Sequence, residues 1–202
     1  MAAVVRAESA DKARRAIEAV LEGGVNVIEV TFTVPRALEL IEELAKTVSE
    51  DVILGAGTVL NPETATAAIS AGAQFIVSPN TNLATVEAAK SHKIAVIPGA
   101  LTPTEVEAAW QAGADLVKIF PANVMGPGYL KDLHGPLPQI PLMPTGGVNL
   151  DTARNWLEHG AAALGVGGAL VDKKLIAAGN FAEITSRARR FREIIDDFRN
   201  GN

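Results

Sequence analysis

Apolar and polar positions along the chain fall into two alternating rhythms. Short runs of consecutive or alternating apolar residues, the pattern of strands, are followed by longer stretches whose apolar residues recur every three to four positions, the pattern of amphipathic helices. Four times a helix-like stretch ends in glycine and passes straight into an apolar strand. These are Glu22-Gly-Gly24-Val-Asn-Val-Ile-Glu-Val30, Ala71-Gly72-Ala-Gln-Phe-Ile-Val77, Ala112-Gly113-Ala-Asp-Leu-Val-Lys-Ile119 and His159-Gly160-Ala-Ala-Ala-Leu-Gly-Val166. Glycine ends a helix because it takes the left-handed conformation that other residues resist. The glycines at 24, 72, 113 and 160 are 48, 41 and 47 residues apart, too long for one strand–helix unit and right for two.

The intervening strands are also visible, as Ile53-Leu-Gly-Ala-Gly-Thr58, Ile94-Ala-Val-Ile-Pro-Gly99 and Leu142-Met-Pro-Thr-Gly-Gly147. Helix starts follow them. Asn61-Pro62 and Thr102-Pro103 set a capping side chain before a proline in the first turn, Thr102 with Glu105 forms a capping box, and Asn149 is a third expected cap. With Ala3-Val-Val-Arg6 as the first strand, eight strands alternate with helices, and Phe181 to Asn202 forms a charged final helix. Such alternation predicts an α/β fold with a parallel sheet. Eight units close into a (β/α)8 TIM barrel, one domain over residues 1–202, in preference to an open doubly wound sheet.

Strand side chains alternate between faces, so the barrel strands should turn Ile28, Val30, Val117 and Ile119 toward the helices. That leaves Glu29 and Lys118 pointing into the barrel. Each lies five residues beyond its repeat's helix-ending glycine, so the two sit at equivalent levels on different strands. Arg6, at the end of the first strand, is a third interior or rim charge. Burial disfavours an ammonium, and a lysine kept neutral there is a nucleophile; a nearby carboxylate can move protons as a carbinolamine forms and collapses. The competing explanation is a structural Lys–Glu ion pair, which desolvation makes a poor source of stability.

Barrel enzymes often hold phosphate with the loops after their last two strands. Here those loops carry Thr145-Gly146-Gly147 and Gly165-Val166-Gly167-Gly168, with Ala169-Leu-Val-Asp-Lys173 as a candidate helix start; plain turns are the simpler explanation of the glycines. Other residues narrow the chemistry. The 202 residues carry a net charge of −5 and no cysteine, which argues against a nucleic-acid partner, a disulfide framework and thiolate catalysis. His92, His134 and His159 lack any spacing that gathers metal ligands, so no metal and no cofactor is expected. Trp110 and Trp156 fit packing positions on outer helices, and Arg187, Arg189 and Arg190 a solvated face of the last one. The longest apolar runs are strand-sized, which leaves no membrane span, and the first residues lack the basic and apolar regions of a signal peptide, so a cytoplasmic protein is expected.

Five ordered motifs, Ile28-Glu-Val-Thr-Phe32, Gly55-Ala-Gly-Thr-Val59, Phe75-Ile-Val-Ser-Pro79, Val117-Lys-Ile-Phe-Pro121 and Pro144-Thr-Gly-Gly-Val148, resemble the 2-keto-3-deoxy-6-phosphogluconate aldolase family, which also includes 4-hydroxy-2-oxoglutarate activity. The resemblance covers essentially the whole chain. It implies a homotrimeric class I aldolase acting on a phosphosugar acid and releasing pyruvate, a 2-keto acid, and glyceraldehyde 3-phosphate. Lys118 would be the Schiff-base lysine and Glu29 the acid/base. Thr58, Pro79, Phe120 and Thr145 would line the pyruvate pocket, and Gly146, Gly147, Gly167 and Gly168 would face the phosphate, with Arg6 near the mouth. Three positions depart from the pattern. Thr33 stands where some members have a carboxylate-binding arginine, Gly168 stands where serine is common, and the first strand begins without the helix that usually precedes it, so the barrel floor is expected to be less well covered. Two rivals remain open: a phosphosugar isomerase or epimerase on the same barrel, which would not need the lysine, and a barrel kept as a self-assembling trimeric scaffold.

Overall fold

The computed structural model describes residues 1–201. Strands and helices alternate almost throughout: β1 (Ala2–Val5), α1 (Ala10–Glu22), β2 (Val27–Thr31), α2 (Ala37–Thr47), β3 (Ile53–Gly57), α3 (Pro62–Ser70), β4 (Phe75–Val77), α4 (Leu83–Ser91), β5 (Ala95–Ile97), β6 (Gly99–Ala100), α5 (Pro103–Gln111), β7 (Val117–Ile119), α6 (Gly128–His134), β8 (Leu142–Pro144), α7 (Ala153–Glu158), β9 (Gly165–Val166), α8 (Lys173–Ala177) and α9 (Phe181–Arg199). The four helix-ending glycines at 24, 72, 113 and 160 all have positive φ, between 84° and 107°, as their place before a strand requires. The caps at Asn61 and Thr102 form as expected. Thr102 accepts from the Glu105 amide and Glu105 reaches back to the Thr102 amide at 2.8 Å; a cap of this kind is worth about 1 kcal/mol.

Every strand pairing is parallel. A curled six-stranded sheet runs β5-β4-β3-β2-β1-β9, and a three-stranded sheet runs β6-β7-β8. Neighbours follow chain order with no reversal, and the first strand lies beside the last; both features exclude the doubly wound alternative. The expected fifth strand is divided into β5 and β6. Pro98 stands between them, and a proline has no N–H to give to a ladder. The Lys118 amide still donates to the Pro98 carbonyl at 2.9 Å, and isolated bridges join Leu142 to Ala161 and Thr145 to Gly165.

The core lies between strands and helices. Ile28, Val30, Val117 and Ile119 belong to it, with Leu40, Ile41, Leu130 and Phe191 from the helices. Val4, Phe75 and Val77 of the six-stranded sheet and Met143 of the three-stranded one are equally buried but lie outside that cluster, on the strand faces turned away from the helices. Two details differ from expectation. Asn149 caps a turn rather than a helix: its Oδ1 accepts from the amides of Asp151 and Thr152, and α7 begins only at Ala153. Arg187 is half-buried rather than on a solvated face, because its guanidinium bridges Glu183 and the carbonyl of Ala169.

Candidate active site

Lys118 and Glu29 point inward from β7 and β2, as the alternation requires. Their side chains are almost wholly withdrawn from solvent, at 3% and 1% exposure, and Lys118 Nζ lies 3.9 Å from Glu29 Oε1. Space for the carboxylate comes from glycine. A Cβ on Gly57, two residues beyond Glu29's own partner Gly55 on β3, would fall onto Glu29 Oε1. Gly165 leaves room for the Thr145 hydroxyl in the same way. Neither Glu29 oxygen has a hydrogen-bond partner, and neither does Thr145 Oγ1. Lys118 Nζ also lies over the Phe120 ring, 5.3 Å from its centroid.

Burial sets the electrostatics. At an effective dielectric of about 20, two charges at this separation attract by about 4 kcal/mol, whereas desolvation costs several kcal/mol for each ion. Desolvation therefore wins on both sides. It pushes the Glu29 carboxyl above the usual carboxylate range against the attraction of Lys118 and Arg6. It also holds the Lys118 amine below the usual lysine range, against the attraction of Glu29 and helped by the positive charge of Arg6. Both shifts run toward the neutral form, and the neutral amine is the form of a lysine that attacks a carbonyl.

A cavity of about 490 Å³ reaches the pair through Phe120, whose ring lies under Lys118 Nζ, although neither Lys118 nor Glu29 itself lines it. It is lined by Val4 and Arg6 at the end of β1, Phe120 after β7, Thr145 to Asn149 after β8, and Gly167 to Ala169, Val171 and Lys173 after β9. The structure thus brings Arg6, Phe120, Thr145, Gly146, Gly147, Gly167 and Gly168 to one concavity. Gly146 and Gly147 have φ of 93° and 77°, which lets the chain fold back immediately after Thr145. Thr33, Thr58 and Pro79 are not brought there. They sit at the ends of β2, β3 and β4. Thr33 is exposed, its hydroxyl 2.6 Å from that of Thr31. Thr58 is half-buried and holds a left-handed backbone with φ of 58°, an uncommon strain for a β-branched residue. Pro79 packs its carbonyl against Gly99. Lys173 lines the cavity although nothing in the sequence marked it beyond its place in a candidate helix start. Among the described residues, no cluster of three or more His, Cys, Asp or Glu is placed to hold a metal, and no helix is long and apolar enough to cross a membrane.

Comparison with known proteins decides the family. The family model "Aldolase: KDPG and KHG aldolase" matches residues 1–187. The chain belongs to the KDPG and KHG aldolase family. As a member it is an aldolase, an enzyme of the aldehyde-lyase class. The 2-dehydro-3-deoxy-phosphogluconate aldolase of Treponema pallidum is 35% identical, over 95% of this chain and 91% of its own. The 2-dehydro-3-deoxy-6-phosphogalactonate aldolase of Escherichia coli is 33% identical, over 92% of this chain and 88% of its own. Among solved structures, the KDPG aldolase of Legionella pneumophila with pyruvate captured at low pH as a covalent carbinolamine superposes with a TM-score of 0.86 at 31% identity, covering 93% of this chain and 92% of that one.

Proposed function

We propose that this aldolase cleaves 2-keto-3-deoxy-6-phosphogluconate reversibly to pyruvate and glyceraldehyde 3-phosphate, through a Schiff base on Lys118. The observation that carries the reading is the lysine–glutamate pair: a desolvated amine 3.9 Å from a desolvated carboxyl, beside a cavity large enough for a phosphorylated sugar acid. The neutral Lys118 amine attacks the C2 carbonyl, and the carbinolamine loses water to give an iminium. Glu29 gives and takes the protons of these steps. It then accepts the C4 hydroxyl proton as the C3–C4 bond breaks, its electrons passing to the iminium as an enamine. Protonation at C3 and hydrolysis release pyruvate and regenerate the amine. Phe120 and Thr145 flank the keto-acid end, and Gly146, Gly147, Gly167 and Gly168 admit the phosphate with Arg6 at the mouth. Thr58 and Pro79 serve the keto-acid end from the neighbouring strand ends, and Thr33 stands further out toward its carboxylate.

The proposal includes a single closed (β/α)8 barrel over the whole chain. It is supported by the bridges from β8 to Ala161 and Gly165 and by the hydrogen bond that carries the ladder across Pro98. A homotrimer in the cytoplasm completes it. The phosphogluconate substrate is favoured over unphosphorylated hydroxy-oxo acids by the two cations on the cavity wall, Arg6 and Lys173. An isomerase or epimerase would have no use for a desolvated lysine, and an inert scaffold no use for the pair.

The test is reductive trapping. Borohydride in the presence of pyruvate should add one reduced pyruvyl group, mapped to Lys118 by peptide mass analysis and absent in Lys118→Ala. An unmodified Lys118, or loading that survives Lys118→Ala, overturns the reading.

A further inference from the structure

The cavity beside Lys118 is electrically one-sided. None of its lining residues is acidic, and two are cations: Arg6 at the end of β1 and Lys173, the first residue of α8. Both are exposed at the mouth, and neither makes an ion pair among the described residues. The acids beside Lys173 are engaged elsewhere. Glu8 binds Lys12 at 2.7 Å and feels Lys173 only through space, while Asp172 turns its carboxylate onto the Lys174 amide at 2.6 Å. The same wall offers open room, since a Cβ on Gly168 would meet nothing within 4 Å. Deeper in, Thr145 presents a buried hydroxyl without a hydrogen-bond partner.

We propose that Lys173 is the specificity-determining residue for the phosphate: with Arg6 it binds the terminal phosphate of the substrate and sets the preference for phosphorylated over unphosphorylated 2-keto acids. The inference rests on the aldolase reading above. A phosphate monoester near neutral pH carries between one and two negative charges and several acceptor oxygens, and an ammonium on a flexible stem meets it as a point charge. The Lys173 side chain is exposed at the rim, open to an incoming ligand. The phosphate does not change as the C3–C4 bond breaks. Its contact with Lys173 is therefore equally strong in ground and transition states, and losing it raises KM while leaving kcat in place.

The experiment compares Lys173→Ala, Lys173→Arg and Lys174→Ala. Lys174 carries the same charge one residue further on, is exposed and does not line the cavity. Lys173→Ala should raise KM for the phosphorylated substrate by about ten- to a hundredfold, the value of one hydrogen bond to a charged group. KM for the unphosphorylated analogue should not move. Inorganic phosphate, measured as a competitive inhibitor and by calorimetry, should weaken in parallel. Lys173→Arg should restore most of the loss, and Lys174→Ala should match the unsubstituted protein. Equal changes for both substrates, or a Lys174→Ala effect as large as that of Lys173→Ala, overturns the assignment. Pyruvate trapping separates the two levels: failure to trap in the unsubstituted protein refutes the aldolase reading, while intact trapping without a phosphate-selective effect refutes only the role of Lys173.

Discussion

Gly57→Ala is a minimal perturbation aimed at the acid without touching it. Gly57 has no positive φ, so alanine fits the backbone and the substitution acts through its methyl group alone. An ideal Cβ there would lie 2.6 Å from both Cδ and Cγ of Glu29 and closer still to Oε1. Ordinary contact begins near 3.4 Å, so the carboxylate must retreat by close to 1 Å. Overpacking of this size costs about 1–3 kcal/mol, which in a chain of this length lowers Tm by about 2–4 °C for each kcal/mol. Misplacing a catalytic group by about 1 Å costs on the order of a hundredfold in rate. The expected result is a folded protein with Tm a few degrees lower, kcat reduced by about two orders of magnitude, and pyruvate still trapped on Lys118. A double-mutant cycle isolates the cause. In a Glu29→Ala background the clash partner is gone, so the destabilisation by Gly57→Ala should disappear, giving a coupling energy of about 1–3 kcal/mol. Unchanged kcat, or a stability loss that persists without the Glu29 side chain, would refute the reasoning.

Three further outcomes are expected. Glu29→Gln should lower kcat by about 10²–10⁴-fold in steady-state assays, with a smaller effect on KM; near-normal kcat would reassign Glu29 to a structural pair. Lys118→Met/Glu29→Met, which replaces the buried pair with apolar side chains of similar volume, should gain about 1–4 kcal/mol of stability near neutral pH in denaturant titrations. The raised Glu29 pKa makes the native state lose stability as pH climbs above about 4.3, and the lowered Lys118 pKa makes it recover as pH approaches about 10.4, so the variant's advantage should shrink toward both values; a pH-independent advantage would contradict the pKa directions. Gly168→Ser adds a hydroxyl into free space and should lower KM for the phosphorylated substrate selectively by about tenfold, whereas equal effects on both substrates would move Gly168 away from the phosphate.

Much of this was legible in the sequence because glycine and alternation are strong local signals. Gly24, Gly72, Gly113 and Gly160 marked four helix-to-strand joints, and each takes the positive φ that its position predicted. The inward faces of β2 and β7 follow from period-two alternation, which places Glu29 and Lys118 inside. What failed was longer in range. Pro98 lay within an apolar run and read as part of one strand, yet its missing N–H divides that strand. The left-handed backbone of Thr58 carries no composition signal, because sterics favour glycine there. Lys173 falls in the candidate helix start Ala169–Lys173 but carries no signal of its own there; its place on the cavity wall comes from the fold after β9. The role of Gly57 depends on a side chain from the neighbouring strand, and a motif search centred on polar residues passes over it.

The one-sided lining of the cavity has a kinetic consequence. On a chain of net charge −5, Arg6 and Lys173 make the mouth of this cavity locally positive, which would draw in the polyanionic substrate proposed above. Diffusional encounter is then guided rather than random, and such guidance fades as added salt shortens the Debye length below about 10 Å. Capture of the phosphorylated sugar acid should slow with ionic strength, whereas pyruvate, a smaller monoanion, should be captured at a rate that salt changes much less.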